Sequence, residues 1–306
     1  MTRGPSSWRA AMAAALLATL GRGRWWLIAL ATFLVRGGLL LLVPPLLVIP
    51  TPAELASLVP ASLVGTGLAH PTAALVTLVA GLSLGVMAVV FGTTLVGTWL
   101  DLALVEAQAG DEELEVLGPP EVRQPPSLWP VVEVRLLAHV PSAITVGVGL
   151  VVLGNALQAE LLAPPEPLPL ALRVVLREPL ATGLIVAAWL LGEAWGGLAL
   201  RRLTTAGARS TLRALRLGLA DLLRPSGLAT LLLTSTVVAA VVAILWLATR
   251  RAFDRLWPLV IGPSDGGALL LALALLVGTW AAGLWLIAIV LAWRSAAWTA
   301  EVLRRS

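Results

Sequence analysis

Six stretches of the chain are apolar for about the 20 residues that a helix needs to cross a hydrocarbon core. They run from about Trp25 to Val48, Thr72 to Leu100, Pro141 to Leu162, Leu180 to Leu200, Gly227 to Ala248 and Gly267 to Trp293. None alternates with the period of two that barrel strands require, and all are too long for such strands. Helical spacing also appears just ahead of each odd-numbered stretch. Trp8 to Leu20 precedes Gly21 and Gly23, Leu128 to Val140 precedes Pro141, and Ala208 to Leu223 follows the same plan with Pro225. The pattern predicts an all-α membrane protein. Its six transmembrane helices form three tandem hairpins, each preceded by an interfacial amphipathic helix.

The composition agrees. Of 306 residues, 58% are hydrophobic and only 12% charged; mean hydropathy is +0.93. A soluble domain carries about twice that share of charge, and a disordered chain would need low hydrophobicity. All 21 basic residues are arginine, and with neither lysine nor tyrosine the high isoelectric point signals no nucleic-acid partner. Asn155 is the sole asparagine, a bias that points to a GC-rich bacterial source. Without cysteine there are no disulfides, thiolate metal sites or thiol nucleophiles.

Arginine placement sets orientation. Segments 1–24, 101–127, 201–224 and 294–306 hold fourteen arginines, against five in the segments on the other side. Both termini are therefore expected in the cytoplasm, with the chain in the bacterial cytoplasmic (inner) membrane. The run from Ala10 to Leu20 resembles a signal peptide, but no small-x-small cleavage site follows it, and a surface helix is the better reading. The 101–127 segment is acidic and rich in Gly and Pro, and reads as a solvated linker beginning at Asp101.

An internal pattern accompanies the hairpins. Each even span ends in a tryptophan, Trp99, Trp195 or Trp298, with leucine five residues later at Leu104, Leu200 and Leu303. These interfacial tryptophans divide a single polytopic domain, 1–306, into pseudo-repeats of about 5–110, 125–205 and 206–306. With this architecture the chain resembles uncharacterised bacterial six-span membrane proteins. It is similar to the membrane domain fused to some bacterial glycerophosphodiester phosphodiesterases. That resemblance implies a non-catalytic membrane domain, because the family's activity belongs to a separate soluble domain.

A charge at the centre of a membrane helix costs roughly 2.5–3.5 kcal/mol, so each one asks for a partner. Arg36 lies about 16 Å into the first span at helical rise, and Glu193 about 12 Å from the same side on the fourth. Similar depth and opposite sign predict an intramembrane pair between them. Glu133, Arg135 and His139 fall on the second surface helix and would be buried only if that helix entered the bilayer. On the third surface helix, Leu212, Leu215, Leu219 and Leu222 form one apolar arc beside Arg209, Arg213 and Arg216. Leucines in the acyl boundary with arginines at phosphate level would make a lipid or partner surface. Gly81/Gly85 and Gly192/Gly196 are GxxxG steps suited to close packing.

No HExxH, GxxxxGK[ST] or GxGxxG motif is present. GxSxG occurs at Gly81–Gly85, inside a span, and at Gly262–Gly266, in a loop shared with the side of His70; neither offers a strand-to-helix elbow. No catalytic residue, metal ligand or cofactor is predicted. Membrane lipids, and other membrane subunits if the chain joins a complex, are the expected partners. The leading reading is a non-enzymatic scaffold, assembly or accessory subunit of a membrane complex. The alternative is the permease subunit of a transporter, like that of an ABC exporter.

Overall fold

The computed structural model describes residues 7–46, 73–111, 114, 127–161, 170–205, 208, 210–262 and 265–305. Nearly all of these residues are helical, with no strand among them. The elements are α1 (Trp8–Gly21), α2 (Gly23–Phe33), a π-helical turn (Leu34–Gly38), α3 (Leu39–Leu42), a 3-10 turn (Pro44–Leu46), α4 (Ala73–Ala109), α5 (Leu128–Leu161), α6 (Leu170–Arg177), α7 (Pro179–Thr204), α8 (Thr211–Leu222), α9 (Pro225–Ile261) and α10 (Gly266–Leu303). Six helical segments are long and apolar enough to cross a membrane. The chain is an all-α, multi-pass membrane protein.

Contacts divide it into two compact units. One comprises 1–47, 95–139 and 192–306; the other comprises 48–94 and 140–191. In the first unit, α1 and α2 pack on α10 through small side chains. Ala11, Ala15 and Ala18 meet Ala292, Ala296, Ala297 and Ala300, all buried. Small residues let membrane helices approach closely, where dispersion and interhelical hydrogen bonds replace the missing hydrophobic drive. The hairpin α9–α10 packs just as tightly at Gly283, where a Cβ would lie 2.1 Å from Leu245 Cδ1. In the second unit, Gly149 receives the Ile185 side chain, and Ser142 Oγ donates to the Ala188 carbonyl at 2.5 Å.

Three local expectations are corrected. The second amphipathic helix is not separate: α5 runs unbroken from Leu128 to Leu161, with Pro141 inside it. Membrane helices tolerate proline when neighbouring groups satisfy the freed backbone. The first span is not one regular helix. It widens into the π turn, where Arg36 leaves helical geometry (φ −81°, ψ 17°) and Gly37 takes φ +88°, a conformation that favours glycine. Further on, Pro45 has no N–H for the Leu41 carbonyl, and Trp246 Nε1 donates to that oxygen instead at 2.6 Å. Finally, the apolar arc of α8 is divided. Leu215 and Leu222 are buried against the protein, and Gly218 lies against the Ala199 backbone. Leu212 and Leu219 face outward.

The GxxxG steps also differ. Gly81 and Gly85 have nothing near them among the described residues, whereas Gly196 lies against Ala138 and Arg135. The Gly81–Gly85 string is continuous helix. Arg209, His70, Ser264 and most of the 101–127 linker lie outside the described residues.

Candidate functional site: a buried lattice of charges

The site lies within the first unit. α4 extends past Leu100 to Ala109, which puts Gly97 and Asp101 one turn apart on one face. Arg36 comes from the π turn, Arg135 and His139 from successive turns of α5, and Glu193 from α7. A Cβ at Gly97 would lie 2.8 Å from Arg36 Nε, and one at Gly196 would lie 3.3 Å from Arg135 Cδ. Both glycines lie within two residues of an even-span tryptophan, Trp99 or Trp195, and they clear space for guanidinium stems.

Each carboxylate bridges the same two arginines. Asp101 Oδ2 accepts from Arg36 Nη2 at 2.6 Å and also from Arg135 Nη2. Glu193 Oε2 accepts from Arg36 Nη1 at 3.1 Å and Arg135 Nη1 at 3.2 Å. The paired residues Arg36 and Glu193 are thus brought together, inside a larger closed square. His139 completes it: Nε2 lies 3.1 Å from Glu193 Oε1, and Nδ1 lies 2.7 Å from the Arg135 carbonyl oxygen. A carbonyl only accepts, so Nδ1 carries a hydrogen. Nε2 and Oε1 then need one further proton between them. On the imidazole it adds a charge to the lattice; on the carboxyl it removes one.

Two more arginines border this square. Arg201 is buried and has no carboxylate at ion-pair distance among the described residues. It donates instead to Thr299 Oγ1 at 3.0 Å, the Gly197 carbonyl at 2.8 Å and Ser295 Oγ at 2.7 Å. Gln108 backs this network by accepting from Ser295 and Thr299 and donating to the Ala292 carbonyl. Arg294 lies within electrostatic reach of Glu193, Arg135 and Asp101, with no hydrogen-bond or ion-pair partner among the described residues. Four arginines therefore stand around two carboxylates, and only Arg36 and Arg135 pair with them among the described residues.

A second cluster ties the chain's end to α7–α9. Asp221 accepts from Arg202 Nε at 2.6 Å, Arg305 Nη1 at 3.1 Å and Arg224 Nη1 at 3.3 Å. Buried Glu301 holds both Arg304 and Arg305. Burial pushes the Arg305 guanidinium below its ordinary value, against the pull of Glu301. Arg202, Arg224, Arg304 and Arg305, four of the arginines that set the predicted orientation, are thus also folded into ion pairs.

The other expected residues have separate surroundings. Arg213 and Arg216 are exposed on α8, with no ion-pair partner among the described residues. Trp99 faces outward, Trp195 Nε1 donates to the Leu215 carbonyl at 2.8 Å, and Trp298 is buried beside Leu198 and Leu222. Only the first has the exposure of an interfacial anchor. Asp101 and Arg135 were missed as site members, because hydropathy ended the span at Leu100 and Pro141 read as a break. The signals available were the i,i+4 pairs Gly97–Asp101 and Arg135–His139. No group of three or more metal-ligating side chains occurs among the described residues. Comparison with protein-family models, curated proteins and solved structures finds no match to this chain.

Proposed function

We propose that the chain is a non-enzymatic platform of the bacterial cytoplasmic membrane, an assembly or accessory subunit with both termini in the cytoplasm. The observation that carries this reading is the closed square of Arg36, Asp101, Arg135 and Glu193. Each carboxylate is held by two arginines from different elements. Such a brace fixes helices against one another; a group that must release a cargo or proton each cycle is better served by fewer partners. The outward side chains Leu212, Arg213, Arg216 and Leu219 on α8 supply a surface for lipid or a partner subunit. The test is purification of the tagged chain from its native membrane in mild detergent. A membrane protein recovered in fixed stoichiometry, and lost on substituting Arg213 and Arg216 by Glu, supports the platform. Recovery of the chain alone, with solute flux in proteoliposomes, overturns it.

One observation favours a permease as the second reading. Arg201 and Arg294 leave the site with more positive than negative charge, which suits an anionic cargo. A stoichiometric ATPase whose turnover rises with an anionic solute would decide for that reading.

A further inference from the structure

A second feature lies at the other end of the α9–α10 hairpin. The apolar stretch of α9 ends at Ala248, about 32 Å along the helix from Gly227 at 1.5 Å per residue. That is close to the thickness of a hydrocarbon core, so the arginines that follow stand at the level of lipid phosphates. They are not equivalent. Arg250 pairs with Asp254 at 2.9 Å and stacks over Phe253. Arg251 and Arg255, one turn apart, have no acidic partner among the described residues. Both line a cavity of about 190 Å³ between the two helices, with Ala248, Ala252, Ala272 and Leu275 as its apolar wall and Thr279 as its one hydroxyl. The volume equals that of about six waters, enough for a head-group fragment.

We propose that this cavity binds the phosphodiester of an anionic phospholipid, with Arg251 and Arg255 as its two cationic contacts. The chemistry favours a lipid over free phosphate for a physical reason. A free ion gains nothing from the alanine and leucine wall, whereas a phosphodiester carries acyl chains that continue toward the bilayer centre along the outward-facing Ile244 and Leu247. Small residues at 248, 252 and 272 keep the space between the helices open. Thr279 offers a hydrogen bond to a phosphate or glycerol oxygen. The site is separate from the charge lattice and does not depend on the role proposed for it.

The experiment uses the full chain in detergent, with bound lipid counted by native mass spectrometry during titration with phosphatidylglycerol. The wild type is expected to retain one tightly held phosphatidylglycerol. Joint substitution of Arg251 and Arg255 by Ala should weaken that binding about thirtyfold, from two basic contacts. The lysine pair should keep most of it. Should the alanine pair fail to fold, Ala252→Leu fills the cavity with both arginines intact and should displace the same lipid. Unchanged retention in the alanine pair or in Ala252→Leu would overturn the assignment. So would equal retention of phosphatidylcholine, or displacement of the lipid by millimolar inorganic phosphate.

Discussion

Two groups of arginines in this chain answer the same problem in opposite ways. At the square, Arg36 and Arg135 reach carboxylates that are 34 to 157 positions away in sequence, and the side chains are at most a quarter exposed. On α9, Arg250 takes Asp254 one turn along its own helix, and both side chains are half exposed. The first arrangement fixes how the π turn, α4, α5 and α7 meet. The Arg250–Asp254 pair joins two residues of one helix turn. The contrast teaches that in an apolar fold the value of a charge pair follows its reach and dryness rather than its distance, since 2.9 Å on α9 falls within the range of contacts in the square.

The sharpest way to break this contrast is to remove one carboxylate of the square. Asp101→Asn keeps the shape but leaves Arg36 and Arg135 sharing Glu193 alone. Breaking a buried pair from one side costs about 3–5 kcal/mol, because the partner charge stays buried and uncompensated. Tryptophan fluorescence during denaturant unfolding in detergent would read this loss. A change below about 1 kcal/mol would show that the square does not brace the unit.

A smaller effect is expected from the glycines that make room for it. Gly97→Ala places a methyl 2.8 Å from Arg36 Nε and 3.0 Å from its Cγ. The stem must shift, and overpacking of this kind costs about 1–3 kcal/mol. Gly92→Ala, on the same helix with nothing within 4 Å, should be neutral or mildly stabilising, because alanine is the better helix former. Equal behaviour of the two variants in the same unfolding measurement would remove the packing role given to Gly97.

The six spans were legible because a run of some twenty apolar residues has few other physical meanings. The pairing of Arg36 with Glu193 was legible too, from depth and sign alone. What stayed hidden depended on helix continuation. Hydropathy averages over a window, so it ended the second span at its first acid, Asp101, although α4 continues to Ala109. Pro141 is a strong breaker in water, yet α5 passes through it, and this carries Arg135 and His139 into the square. The π turn had only the Gly37–Gly38 pair as a signal. The division of the α8 arc was illegible for another reason: leucine suits a lipid surface and a protein core equally, and only the neighbours decide.

The smallest effect should come from α9. Asp254→Asn removes the pair with Arg250, which is half in solvent. Exposed i,i+4 pairs contribute about 0.3–0.5 kcal/mol, and salt weakens them further. The expected loss is therefore near the resolution of an unfolding curve at low ionic strength and absent at high salt. The same salt change should leave the Asp101→Asn penalty largely intact, since buried pairs are poorly screened. Measuring both variants at two salt concentrations turns the comparison into a single ratio. That ratio should grow with salt if reach and dryness govern the charges of this chain. It should stay constant if the square is as wet as the surface pair.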